Sequence, residues 1–104
     1  MIARVAYFEN LTEAQKLTQE DNYQRRFKAA LTAQPGLIAV HHLAAADGTR
    51  VSISIWESEE ACRTGGERAN AVPLLPGQVG ADIPSPSRAE FMQVLDSFVL
   101  APNA

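Results

Sequence analysis

Cysteine is almost missing from this chain of 104 residues. The single one, Cys62, excludes an intrachain disulfide, and no second Cys or His stands at metal-ligand spacing from it. Aromatic residues make up only 7%, with one tryptophan, and neither of the 2 histidines lies beyond position 42. There is no basic excess, since 9 Lys and Arg face 12 Asp and Glu, so the electrostatic footprint of a nucleic-acid binder is absent. No apolar run approaches the roughly 20 residues of a membrane span. The first residues alternate as a strand does, without the basic-then-apolar order of a signal peptide. No Gly-rich phosphate loop occurs. Together these gaps predict a cytoplasmic protein that carries no haem, flavin or metal and has neither nucleic acid nor membrane as a partner. The length suits one domain spanning 1–104, with room for a single core.

What the chain does contain is a legible order of elements. Residues 51–56 alternate apolar and polar strictly, end at Trp56, and run without a linker into the acidic helix start at 57–61. Residues 2–8 read as a strand with Ile2, Arg4, Ala6 and Phe8 on one face and Ala3, Val5 and Tyr7 on the other. Thr12 with Gln15 fits a capping box, and Asp21 with Gln24 fits a second. The polar residues 18–22 are therefore expected to part a short first turn from a main helix. In that helix Tyr23, Phe27, Ala30 and Leu31 share the apolar face, while Arg25, Arg26 and Lys28 point elsewhere. Pro35 and Gly36 stop it.

Residues 37–45 and 50–56 form a hairpin around Asp47 and Gly48. Ser58 caps a second helix whose first turn carries Glu59 and Glu60, a solvated start with no His to make them metal ligands. Gly65 and Gly66 are expected to weaken that helix early. Residues 71–87 hold four of the six prolines, which predicts a long irregular connection acting as a mobile flap. A last strand is expected over about 89–100, with Met92, Val94, Phe98 and Leu100 on one face. Asp96 interrupts that face and is expected to pair with Arg4 or solvent.

The order strand, helix, strand, strand, helix, strand defines an α+β fold of the ferredoxin-like βαββαβ kind, an antiparallel sheet with two helices on one face. Two helices cover only one sheet face, yet the strands are apolar on both. The second face then requires another cover, most simply a second copy of the chain, so a homodimer is expected.

With Pro35-Gly36, Asp47-Gly48 and the junction at 54–61 in place, the chain resembles the dimeric α/β-barrel superfamily. Within it, the chain is similar to antibiotic-biosynthesis monooxygenase-like domains. Members that oxidise polycyclic phenols use no metal or flavin. The resemblance implies a substrate held between sheet and helices, deprotonated to an electron-rich anion that reacts directly with dioxygen. Such a site needs an apolar cavity and a few donors for the phenolate. Trp56 matches the family's Trp at the end of strand 3. The family's Asn four residues earlier falls on Ser52, and its helix 2 Tyr falls near Cys62. The haem-degrading branch uses a helix 2 His and a further Trp, and neither residue type follows Trp56 here.

His41 and His42 lie on opposite faces of strand 2, and one of them is the candidate base that takes a phenolic proton. Trp56, Phe27, Tyr7, Tyr23 and Ser52 are the candidate substrate contacts, each with a packing role as its alternative. Cys62 follows a helix start, but without a partner base it reads as a small buried thiol. Two functions remain open. One is a cofactor-independent monooxygenase-like enzyme acting on a small aromatic ligand; the other is a non-catalytic ligand-binding or interaction module of the same fold.

Overall fold

The computed structural model describes residues 1–100. Four strands, β1 (Ile2–Phe8), β2 (Leu37–Ala44), β3 (Arg50–Trp56) and β4 (Arg88–Gln93), form one antiparallel sheet in the order β2-β3-β1-β4. The helical run after β1 comprises α1 (Glu13–Asn22), a π-helical turn (Tyr23–Phe27) and α2 (Lys28–Thr32); α3 (Glu59–Asn70) comes after β3. This is the ferredoxin-like arrangement that the order of elements predicts, because each helical unit crosses the same sheet face between two strands.

The capping box forms as expected: Thr12 Oγ1 accepts from Gln15 N–H at 3.1 Å, and Gln15 Oε1 accepts from Thr12 N–H at 2.8 Å. The second one does not. Asp21 instead pairs with Arg25 at 3.2 Å, and the helix continues through residues 18–22 without a break. The interruption is subtler: Lys28 N–H donates to Tyr23 O, five residues back. That wider turn rotates the remainder of the helical run by roughly 100° relative to an unbroken α-helix. It also corrects the expected outward direction of Arg26, which is buried with only 8% of its surface exposed. Its guanidinium donates to Asn70 O at 3.1 Å, Pro73 O at 3.3 Å and Asn22 Oδ1 at 3.3 Å, and also to Val72 O. A charge that would be costly to bury alone is thereby satisfied, and it fastens the start of the proline-containing connection to the helical run.

The core lies between α2, α3 and the far end of the sheet: Ala30, Leu31, Trp56, Cys62 and Ala69, with Ile2, Phe27, Leu37 and Val40 packed against them. Helix α3 passes through Gly65 and Gly66 intact, against the expectation that they weaken it early. The reason lies in packing. Cys62, Gly65 and Ala69 line the inner face of α3, and a methyl group on Gly65 would stand 2.5 Å from Trp56 Cζ3. The glycine lets the helix rest on the indole. Gly36, at φ +86°, plays a similar part, since a Cβ there would meet Ala61 Cβ at 2.8 Å.

Strand β4 ends at Gln93, shorter than the expected 89–100. Val94 N–H still reaches Met1 O at 3.2 Å, where β1 begins and offers no further partner. Beyond it Leu95, Phe98, Val99 and Leu100 are exposed at 90%, 77%, 91% and 81%. Asp96 is exposed as well and, among the described residues, forms no ion pair with Arg4. The sheet face away from the helices carries Ala3, Val5, Tyr7, Ile53, Ile55 and Met92, with Arg88 and Glu90 at its β4 edge, and no helix among the described residues covers it.

Candidate functional site

Strand register sets the floor of a cleft between the sheet and the helical run. On the helix-facing side one cross-strand row is Phe91, Arg4, Ser54 and Val40; the next is Ala89, Ala6, Ser52 and His42. The second row is made of small residues at its centre, so side chains do not fill the space above them. The resulting cleft measures about 880 Å³, within the usual range for a small-molecule site. Tyr23, Phe27 and Glu20 form its roof, and Leu74, Ile83, Pro84 and Pro86 of the proline-containing connection form a side wall.

His42 and Tyr23 make the most defined feature of this cleft. Their ring centroids are 3.8 Å apart with planes tilted by 51°. Partial burial lowers the imidazole pKa below its ordinary 6.5; nearby Glu20 works against this and Lys28 with it. The imidazole is therefore neutral at pH 7 and able to accept a proton. Burial raises the Tyr23 phenol above 10.0, assisted by Glu20, so it remains an O–H donor. Ser52 adds a hydroxyl on the floor directly across from His42 in the β2–β3 register.

The other sequence candidates sit elsewhere. His41 and Tyr7 belong to the opposite sheet face, where the Arg88 guanidinium stacks 3.6 Å from the Tyr7 ring centroid. Trp56 is only 1% exposed and is part of the core rather than the cleft lining. Its Nε1–H, fully buried, has no hydrogen-bond partner among the described residues. Cys62 is buried, and desolvation raises its thiol pKa above 9.0, which keeps it protonated and unreactive. Phe27 does line the cleft, next to Tyr23. Among the described residues no three His, Cys, Asp or Glu side chains are grouped to hold a metal ion. The cleft-lining cations Arg4 and Arg50 were not singled out from sequence as site residues. The alternation of β1 and β3 places both on the helix-facing side, and that was the available signal.

This architecture, a ferredoxin-like antiparallel sheet with helices on one face and a cleft between them, is a fold shared with the solved structures to which the chain is similar. No family model matches the chain, and no curated protein does. Solved structures match it along most of its length. One is a monooxygenase from the gene ActVA-Orf6 of Streptomyces coelicolor in complex with nanaomycin D, with TM-score 0.63 and 21% identity over 96% of this chain and 92% of that one. Another is SnoaB, a cofactor-independent oxygenase from Streptomyces nogalater, with TM-score 0.64 and 17% identity over 92% of this chain and 94% of that one. A MhuD variant with two manganese protoporphyrin IX molecules bound per active site aligns with TM-score 0.69 and 14% identity, covering 95% and 99% of the two chains. The likeness is one of fold.

Proposed function

We propose that the chain is a monooxygenase-like enzyme that oxidises a fused-ring phenol without a cofactor, using the cleft beneath the helical run. The observation that carries this reading is the neutral His42 imidazole against the Tyr23 ring above a floor of small residues. A planar ring system would lie beside this pair over the small residues of the floor, where apolar and aromatic surface supplies the binding. His42 takes a proton from the bound phenol or an adjacent methylene, and Tyr23 and Ser52 donate hydrogen bonds to the oxygen that becomes negative. The electron-rich anion then reacts with dioxygen. For a hydroxylated anthrone the balance closes: the methylene carbon loses two hydrogens and gains one oxygen atom, and the second oxygen leaves in water. A monooxygenase that binds nanaomycin D and a cofactor-independent oxygenase share this fold, and that supports the reading.

Dioxygen uptake with a hydroxylated anthrone tests it, and the pH profile identifies the base. Because the folded His42 pKa lies below 6.5, uptake should be constant above pH 7 and fall as the pH drops through that lower value. The His42→Ala variant should lose the acid limb together with most of the rate. A rate equal to the uncatalysed oxidation at every pH would end the enzymatic reading. The same shift carries a stability sign: the unfolded chain binds the proton first, so the fold loses stability as pH falls below 6.5.

A second reading, a binding module without turnover, draws on one observation: among the described residues His42 has no hydrogen-bonded carboxylate to orient it. Ligand binding without dioxygen uptake would select it.

Under either reading we propose a homodimer through the sheet face away from the helices. Half-buried Ile53 and Ile55 and exposed Met92 supply an apolar surface there. Light scattering at micromolar concentration should give twice the chain mass, and Ile53→Asp should give a monomer. A monomeric wild type would sink this assembly.

A further inference from the structure

The cleft of this acidic chain is cationic. Its lining holds Arg4, Lys16, Arg26 and Arg50 against only Glu13 and Glu20, whereas the whole chain carries a formal charge of −3. Two of these cations are already engaged. Arg26 is satisfied by backbone carbonyls, and Lys16 binds Glu13 at 3.0 Å. Lys16 also lies beside the turn that carries Asp47, so the end of the cleft near Arg50 has acids of its own. Arg4 differs. It is half-buried on central strand β1, flanked by Ser54 on β3 and Phe91 on β4, and it has no hydrogen bond or ion pair among the described residues.

A guanidinium has five donors and no acceptor, and it does not deprotonate. Placing one at the floor of a ligand cleft without an internal carboxylate leaves it an anion to bind. Register also gives the reach. Arg4 stands one row along and two strands across from His42, so their Cα atoms are about 12 Å apart at standard sheet spacings. Allowing for the two side chains, a two- or three-ring system resting on His42 and Tyr23 brings a substituent at its far end to Arg4.

We infer that the ligand is a fused-ring aromatic that carries a carboxylate, and that Arg4 is the residue that selects for it. This rests on the proposed use of the cleft for aromatic phenols and names the further group that such a ligand bears. Arg4 acts in recognition, not in the proton transfer at His42.

Fluorescence titration of the full-length chain with hydroxynaphthoate and with its neutral methyl ester tests the assignment. A charged hydrogen-bonded pair in a partly dry site corresponds to a preference for the carboxylate on the order of 10- to 100-fold. Arg4→Gln should reduce hydroxynaphthoate affinity to that of the ester while ester affinity stays the same, which also shows that the variant folds. Arg4→Lys should keep part of the preference, since it retains the charge but not the fork of donors. Raising the salt concentration should weaken carboxylate binding to wild type and leave ester binding alone. Equal affinity of wild type for the two ligands, or a preference that survives in Arg4→Gln, would overturn the role of Arg4 and leave the aromatic cleft standing. If wild type binds neither compound, both the cleft reading and the role of Arg4 fall.

Discussion

Replacing Trp56 by alanine is expected to cost about 3–5 kcal/mol, a loss typical of large buried aromatics. The indole is 1% exposed, and the side of α3 that faces it is pared to Cys62, Gly65 and Ala69. Nothing on that inner face is long enough to fill the hole. Trp56→Phe should cost much less, because it removes the unpartnered Nε1–H along with part of the volume. The same contact predicts a loss from the opposite change. Gly65→Ala would force its new methyl into the indole, 2.5 Å from Cζ3, and should cost about 1–3 kcal/mol despite alanine's better helix propensity. Gly66 meets nothing within 4 Å, so Gly66→Ala should stabilise by about 0.5–1 kcal/mol. Urea denaturation of the four variants decides the matter. Gly65→Ala and Gly66→Ala shifting the midpoint in the same direction would contradict this packing.

The second large effect belongs to Arg26. Arg26→Leu leaves Asn70 O, Val72 O and Pro73 O without the donor that holds them, and a loss of about 2–4 kcal/mol is expected. Arg26→Lys should fall between, since a single ammonium cannot span the same acceptors as the fork. The effect should also be local. Because the guanidinium fastens the beginning of the 71–87 connection, limited proteolysis there should accelerate in Arg26→Leu more than global stability alone requires. Cleavage that simply tracks the shift in global stability would show that the side chain does not anchor the segment.

The contrast between these two residues shows what the sequence made legible. Trp56 closes a strictly alternating strand, so its place at the end of β3 is set by period alone. The order of elements and the caps at Thr12 and Ser58 were readable for the same reason, since caps and alternation are local codes, whereas the start expected at Asp21 was a false one. Arg26 was not readable. Its inward turn depends on one wide turn at Tyr23–Phe27, and no residue type announces a π-bulge the way a proline announces a kink. The early end of β4 also escaped prediction, because apolar residues after Gln93 continue a strand-like pattern after the pairing with β1 runs out at Ile2. For the cleft, alternation assigned His41 and His42 to opposite faces but gave no sign of which face the helices cover. Arg4 lay in plain view on the Ile2, Ala6, Phe8 face. Its lack of a partner is a property of three-dimensional neighbours, which spacing along the chain does not encode.

The chain carries its own control for the central claim, that the cleft under the helical run binds a planar aromatic. It has 2 histidines, adjacent in sequence and on opposite sheet faces. NMR spectra of the imidazole ring protons, recorded while hydroxynaphthoate is added, therefore report the two faces separately. Stacking near His42 should shift its resonances strongly through the ring current of the ligand, with those of His41 unmoved. If the His42 signals stay fixed, or the His41 signals move as far, the cleft is not the binding site.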